Sequence, residues 1–217
     1  MSKYSSSKRL QNDIAPPEET SDRHISHDMY YIVTIELSEE PKSTAIVSGM
    51  VKGWLMTRKE HQALVAYVYR NEIYLVFSSV EDTGHYLKGS HQALCSEYAS
   101  LAALQFGCKV NVKIIEIESR TRILIYFQTK IFENAKKSAL GLSKNSITKK
   151  QIGQLTLGEI IQALRDRASV VWDKISPAER FGMLYKYLIV GDKEKFVTMA
   201  EMINIQEMDK YTSYFFE

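Results

Sequence analysis

The sequence predicts an α+β fold built on a mainly antiparallel sheet, and three stretches carry that expectation. Leu64–Ser79, LVAYVYRNEIYLVFSS, reads as two strands joined by a tight turn at Arg70-Asn71. Branched and aromatic side chains fill it, and these suit a pleated, half-buried surface. Met29–Leu37, MYYIVTIEL, is an apolar run broken only by Thr34 and Glu36, the pattern of a strand covered on both faces. Ser90–Gly107 has helical periodicity and stops at a glycine, the residue that most easily takes a left-handed helix end.

In chain order, residues 1–28 are Ser-rich and charged, with too little apolar content to offset the entropy of ordering, and read as a mobile polar tail. After the first strand, Ala45, Val47, Met50, Val51, Trp54 and Leu55 recur at helical spacing, with Ser43 or Thr44 as cap. The hairpin and the 90–106 helix follow. Lys109–Ile117, KVNVKIIEI, then alternates polar and apolar as a strand with one wet face. Strand, helix, strand, strand, helix, strand is the split βαβ, or ferredoxin-like, order. That fold hosts RNA-binding modules, small-molecule sensors and polymerase palms, and names no function by itself.

Beyond it, Thr121–Phe127 reads as a further strand and Thr129–Leu140 as a helix. A second helix spans Ser146–Arg167, with a capping-type start at Thr148–Gln151. Met183–Val190 reads as a closing strand, Asp192–Ile203 as a last short helix, and Tyr211–Phe216 as an aromatic tail. The expected organisation is therefore a tail over 1–28, a palm-like ferredoxin domain over 29–127, and a mainly helical extension over 128–217 packed on the palm.

The 217 residues are 45% apolar and 25% charged, with a formal net charge of +2, so no global field forces a nucleic-acid partner. Cys95 and Cys108 make no disulfide framework, and the N-terminus has no apolar leader core. No run approaches the roughly 20 apolar residues of a membrane helix. These features set the expectation of a reducing intracellular compartment and no membrane.

Two carboxylates stand where chemistry could be done. In a split βαβ palm the end of the first strand lies beside the tip of the central hairpin. Acidic side chains from the two places can jointly hold two Mg²⁺ ions, one activating a hydroxyl and one steadying a triphosphate. Glu36 occupies the first place and Asn71-Glu72 the second. Glu72 is either a polar hairpin rim or half of a metal site. Glu36, in so apolar a strand, needs a partner or a functional reason. His91 and Cys95, one helical turn apart, either join Cys108 or His85 around zinc or are a surface histidine and a core cysteine. Between Thr129 and Tyr187 eleven Lys and Arg stand against five acids. They form either a phosphate-binding patch, with Lys136, Lys137, Lys149 and Lys150 as candidates, or a solvated helical surface.

Ala66–Phe77, AYVYRNEIYLVF, resembles the AYxxSDEYSFVF hairpin of the tRNA-His guanylyltransferase family. Ser96–Ser100, Phe132–Leu142 with Thr148–Leu157, and Pro177–Lys186 are similar to later segments of that family. The resemblance implies a polymerase-like palm that adds nucleotides to RNA in the 3′-to-5′ direction. Its cofactors would be Mg²⁺ and a nucleoside triphosphate, its metal ligands Glu36 and Glu72, and its triphosphate contacts the backbone at Leu37 and Ser38. The chain departs from the pattern at several points. Thr34–Ser38 replaces the family's Arg-hydrophobic-Asp-Gly-Arg, Leu37 stands at the glycine, and Asn71 at the hairpin aspartate. Losing anionic ligands weakens a hard-cation site. The reading is therefore a non-catalytic palm acting as an RNA-binding or assembly module, with RNA, other protein subunits or further copies of the chain as partners. The alternative is an active Mg²⁺-dependent nucleotidyltransferase using Glu36, Asn71 and Glu72.

Overall fold

Val65–Tyr69 (β2) and Glu72–Phe77 (β3) form the expected hairpin, and every other strand is added around it. Tyr30–Leu37 (β1) lies between β3 and Val110–Ile117 (β4). On the other side Met183–Val190 (β5) pairs with β2, and Lys193–Met199 (β6) pairs with β5. The sheet order is β4-β1-β3-β2-β5-β6, with every neighbouring pair antiparallel. This computed structural model describes residues 25, 26, 28–41, 44–56, 63–78, 89–143, 155–190 and 193–217.

Two helical layers cover the sheet. Thr44–Met56 (α1) and His91–Phe106 (α2) lie on one face, as expected. There Val51, Leu55, Leu94, Tyr98 and Ala102 pack on Val33, Ile35, Leu37, Ile73, Leu75 and Phe77. The Ser90 side chain caps α2 by accepting from Ala93 N–H, and Gly107 ends it at φ 65°. The buried stripe of α2 runs through His91, Leu94, Tyr98 and Ala102, and Leu104 is 85% exposed. The last residues of the expected tail are not free: Ile25 is buried and its N–H donates to Gly89 O.

The opposite face carries Arg120–Leu142 (α3), Leu157–Ala168 (α4), Pro177–Phe181 (α5) and Met208–Phe216 (α6). Here three expectations fail. Thr121–Phe127 is the first part of α3 and not a strand, so the 127/128 domain boundary falls inside one helix. The branched and aromatic run ILIYF favours a strand locally. Ser119 caps it, however, and buried Ile123, Phe127, Ile131, Asn134, Ala135 and Ser138 continue a single helical stripe, so packing overrides propensity. Of the helix expected over Asp192–Ile203, Lys193–Met199 is instead β6, because it pairs with the edge of β5. The extension therefore adds two strands to the sheet as well as helices. The expected cap at Thr148 lies outside the described residues; α4 opens on a capping box of Thr156 and Glu159. Among the described residues no helix is long and apolar enough to cross a membrane.

A buried polar network ties the layers to the hairpin. Tyr67 Oη donates to Phe181 O at 2.7 Å and accepts from Asn134 Nδ2 at 3.0 Å. Gly182 lets the chain pass beside that tyrosine: a Cβ there would stand 2.6 Å from the Tyr67 ring and 2.7 Å from Val68 O.

Candidate functional site at the hairpin tip

The β1–β3 register sets Glu36 directly opposite Glu72. Opposed residues in an antiparallel pair project to the same face, with Cβ atoms about 4.5–5.5 Å apart. Both carboxylates therefore lie on the α3 side. The structure brings the two predicted acidic residues together, but it gives them different surroundings. Glu36 is exposed and makes no ion pair among the described residues.

Glu72 is fully engaged. Its Oε2 accepts from Tyr74 Oη at 2.5 Å and lies 3.2 Å from Lys130 Nζ, while Oε1 lies 2.9 Å from Lys137 Nζ. The Glu72 side chain is only 17% exposed. Burial alone pushes its carboxyl up; the Tyr74 hydroxyl and the Lys137 and Lys130 ammonium groups outweigh that and leave it below the ordinary carboxylate range. Burial and the same carboxylate push the Tyr74 hydroxyl far up, so it stays protonated and donates. Both lysines come from α3. Lys130, Asn134, Lys137 and Gly141 follow at i, i+4, i+7 and i+11, one helix face turned to the hairpin tip.

The sign of this shift fixes a pH dependence. A carboxyl depressed by folding binds its proton more weakly in the folded chain than in the unfolded one, so it adds stability above the unfolded pKa, near 4. That contribution disappears as pH falls through the lower folded value. Glu72→Gln is expected to flatten the acid limb of the stability curve, measured by urea unfolding between about pH 2 and 7. An unchanged limb would mean that Glu72 has no depressed carboxyl.

The other predicted contacts are spent on the fold. Asn71 Nδ2 donates to Leu37 O at 2.8 Å, clamping the turn to the end of β1. Asparagine supplies a donor there, and aspartate would set acceptor against acceptor. Leu37 is buried in the α1/α2 core, and its N–H donates to Asn71 O. Ser38 N–H donates to Lys109 O at 2.9 Å. Neither backbone amide is left for a triphosphate. Lys136 Nζ lies 4.8 Å from the Phe132 ring centroid, Lys137 belongs to Glu72, and Lys149 and Lys150 fall outside the described residues.

These residues do not fit a two-Mg²⁺ centre. Unit charges about 4 Å apart interact by about 4 kcal/mol at the effective dielectric of a protein surface, and a divalent ion doubles its repulsion from each ammonium. Among the described residues no group of three His, Cys, Asp or Glu side chains is placed to hold a metal. His91 is buried edge-on against Tyr31, which gives it a packing role.

Sequence reasoning missed the cleft beside this cluster. It measures about 810 Å³ and is lined by Val47, Val68, Leu142, Ile175, Met183 and Tyr185, with Arg70, Glu40 and Glu179 as charged groups. Arg70 sits at φ 52°, left-handed backbone uncommon for a long side chain, with its guanidinium 5.4 Å from the Tyr69 ring centroid. The Tyr69 hydroxyl is buried with Ser138 beside it and makes no hydrogen bond of normal geometry. The turn residue Arg70, where the guanylyltransferase hairpin has serine, was the available signal.

No protein-family model matches the sequence, and no curated protein matches it. Solved structures do match. A bacterial tRNA-His guanylyltransferase-like protein in complex with ATP aligns with 89% of this chain and 93% of its own, at TM-score 0.68 and 13% identity. A bacterial protein of the same description in complex with GTP aligns with 90% of this chain and 93% of its own, at TM-score 0.56 and 11% identity. The tRNA-His guanylyltransferase of Saccharomyces cerevisiae aligns with 88% of this chain and 96% of its own, at TM-score 0.53 and 12% identity. The six-stranded sheet, its two helical layers and the paired acidic residues at the hairpin tip thus stand on the fold of the tRNA-His guanylyltransferase-like proteins.

Proposed function

We propose that this chain is a split βαβ palm that binds RNA without transferring nucleotides, holding a terminal nucleotide in the cleft at the hairpin tip. One observation carries the non-catalytic part. The Glu72 carboxylate is neutralised by Lys130 and Lys137, where two-metal transfer needs anionic oxygens free for cations. The cleft supports the binding part. Its volume of about 810 Å³ lies in the range of small-molecule sites. The partly exposed Tyr185 offers ring surface and Arg70 a guanidinium, the chemistry on which single-stranded nucleic acids stack and pair. The guanylyltransferase-like fold adds support by analogy alone.

Binding of a short 5′-labelled RNA, followed by anisotropy across salt concentrations, tests this reading. Changing Arg70, Lys136, Lys149 and Lys150 to alanine is expected to weaken binding and to reduce the log–log salt slope by about 0.7 for each phosphate that is no longer neutralised. RNA binding that is absent at low salt, or indifferent to those four changes, removes RNA and leaves an assembly role with protein partners.

A further inference from the structure

We infer that Lys130 and Lys137 close the Glu36/Glu72 pair to divalent cations, so that neutralising these two lysines opens a two-carboxylate cation site on this chain. The inference rests on the non-catalytic reading and assigns the closure to named groups. The two residues are already placed: the ladder holds Glu36 and Glu72 opposite one another on one face. Two carboxylates suffice to anchor a hard divalent ion that keeps several waters. What stands in its way is local. Lys130 and Lys137 take one oxygen each of Glu72, on the side facing α3.

The closure is built into the helix and is not an accident of mobile side chains. Lys130 is 21% exposed, and its ammonium also lies 5.3 Å from the Tyr74 ring centroid, which orients it. Tyr74 in turn donates to the same carboxylate oxygen that Lys130 meets. A cation entering at Glu72 has to displace ammonium groups that are part of the packed α3–hairpin contact. With methionine at both positions the stems still fill their space, the two positive charges are gone, and the half-buried carboxylate gains a reason to bind a cation.

The probe is Mn²⁺ alone, counted by electron paramagnetic resonance on the full chain. The unaltered protein is expected to show no Mn²⁺ site that Glu72→Gln removes. K130M/K137M is expected to gain one such site, bound roughly tenfold or more tighter than any Mn²⁺ on the unaltered chain, and to lose it when Glu72→Gln is added. K137M alone changes a half-exposed side chain, frees Oε1, and should already raise Mn²⁺ binding even if the double variant does not fold. The inference is overturned if the unaltered chain binds Mn²⁺ in a manner sensitive to Glu72→Gln. It is equally overturned if folded K137M or K130M/K137M gains no site. RNA binding by the unaltered chain is read separately, so a failure of the functional proposal is not mistaken for a failure here.

Discussion

Leu37→Gly is expected to lower the stability of the chain by about 4 kcal/mol, read as a fall in the urea midpoint without a change in slope. The guanylyltransferase signature has glycine at this position, which makes the substitution informative. Leu37 is 1% exposed and packs in the core under α1 and α2. Its removal leaves a cavity, and glycine in a strand adds backbone entropy to the cost. The change does not create a phosphate cradle, because the N–H groups of residues 37 and 38 remain bonded to Asn71 O and Lys109 O. A neutral effect on stability, or a gain of GTP binding, would show that the end of β1 is not locked as described.

Gly182→Ala is expected to cost a similar amount, about 4 kcal/mol, for different reasons. Gly182 sits at φ 79°, ψ −172°, a region essentially reserved for glycine. Its added methyl would also meet the Tyr67 ring and hydroxyl and the Val68 carbonyl well inside contact distance. Relief would have to come from moving Tyr67, which breaks its hydrogen bonds to Phe181 O and Asn134. Thermal melts of the two forms decide the matter, and equal midpoints would contradict the packing described around the hairpin.

The nearness of Glu36 to Glu72 followed from the split βαβ order and not from any single stretch, whereas local pattern was enough for the hairpin, for β1 and β4, and for α1 and α2. Each rests on a period or a cap that lies within one stretch of chain. It was not enough for Thr121–Phe127 or Asp192–Ile203. The first is a strand-like run recruited into a long helix by the buried stripe that continues to Ala139. The second is an ambiguous segment, KEKFVTM, made a strand by the open edge of β5. The state of the candidate site was illegible for a related reason. Glu72 meets Lys130 and Lys137 only because α3 crosses the sheet at the hairpin tip, and no spacing in the sequence reports partners 58 and 65 residues apart. Residue type alone makes Asn71 a weak metal ligand. Its amide proved to be a clamp because the acceptor, Leu37 O, is set by strand pairing.

With Lys130 and Lys137 on the hairpin carboxylate, the chain is expected to perform no metal-dependent nucleotide transfer. Incubating the unaltered chain with labelled GTP, Mg²⁺ and 5′-triphosphorylated or 5′-monophosphorylated tRNA, and looking for a one-nucleotide extension at the 5′ end, tests it most directly. The predicted result is no extension above that of the Glu36→Ala variant. Robust extension by the unaltered chain, abolished by Glu36→Ala, would contradict it.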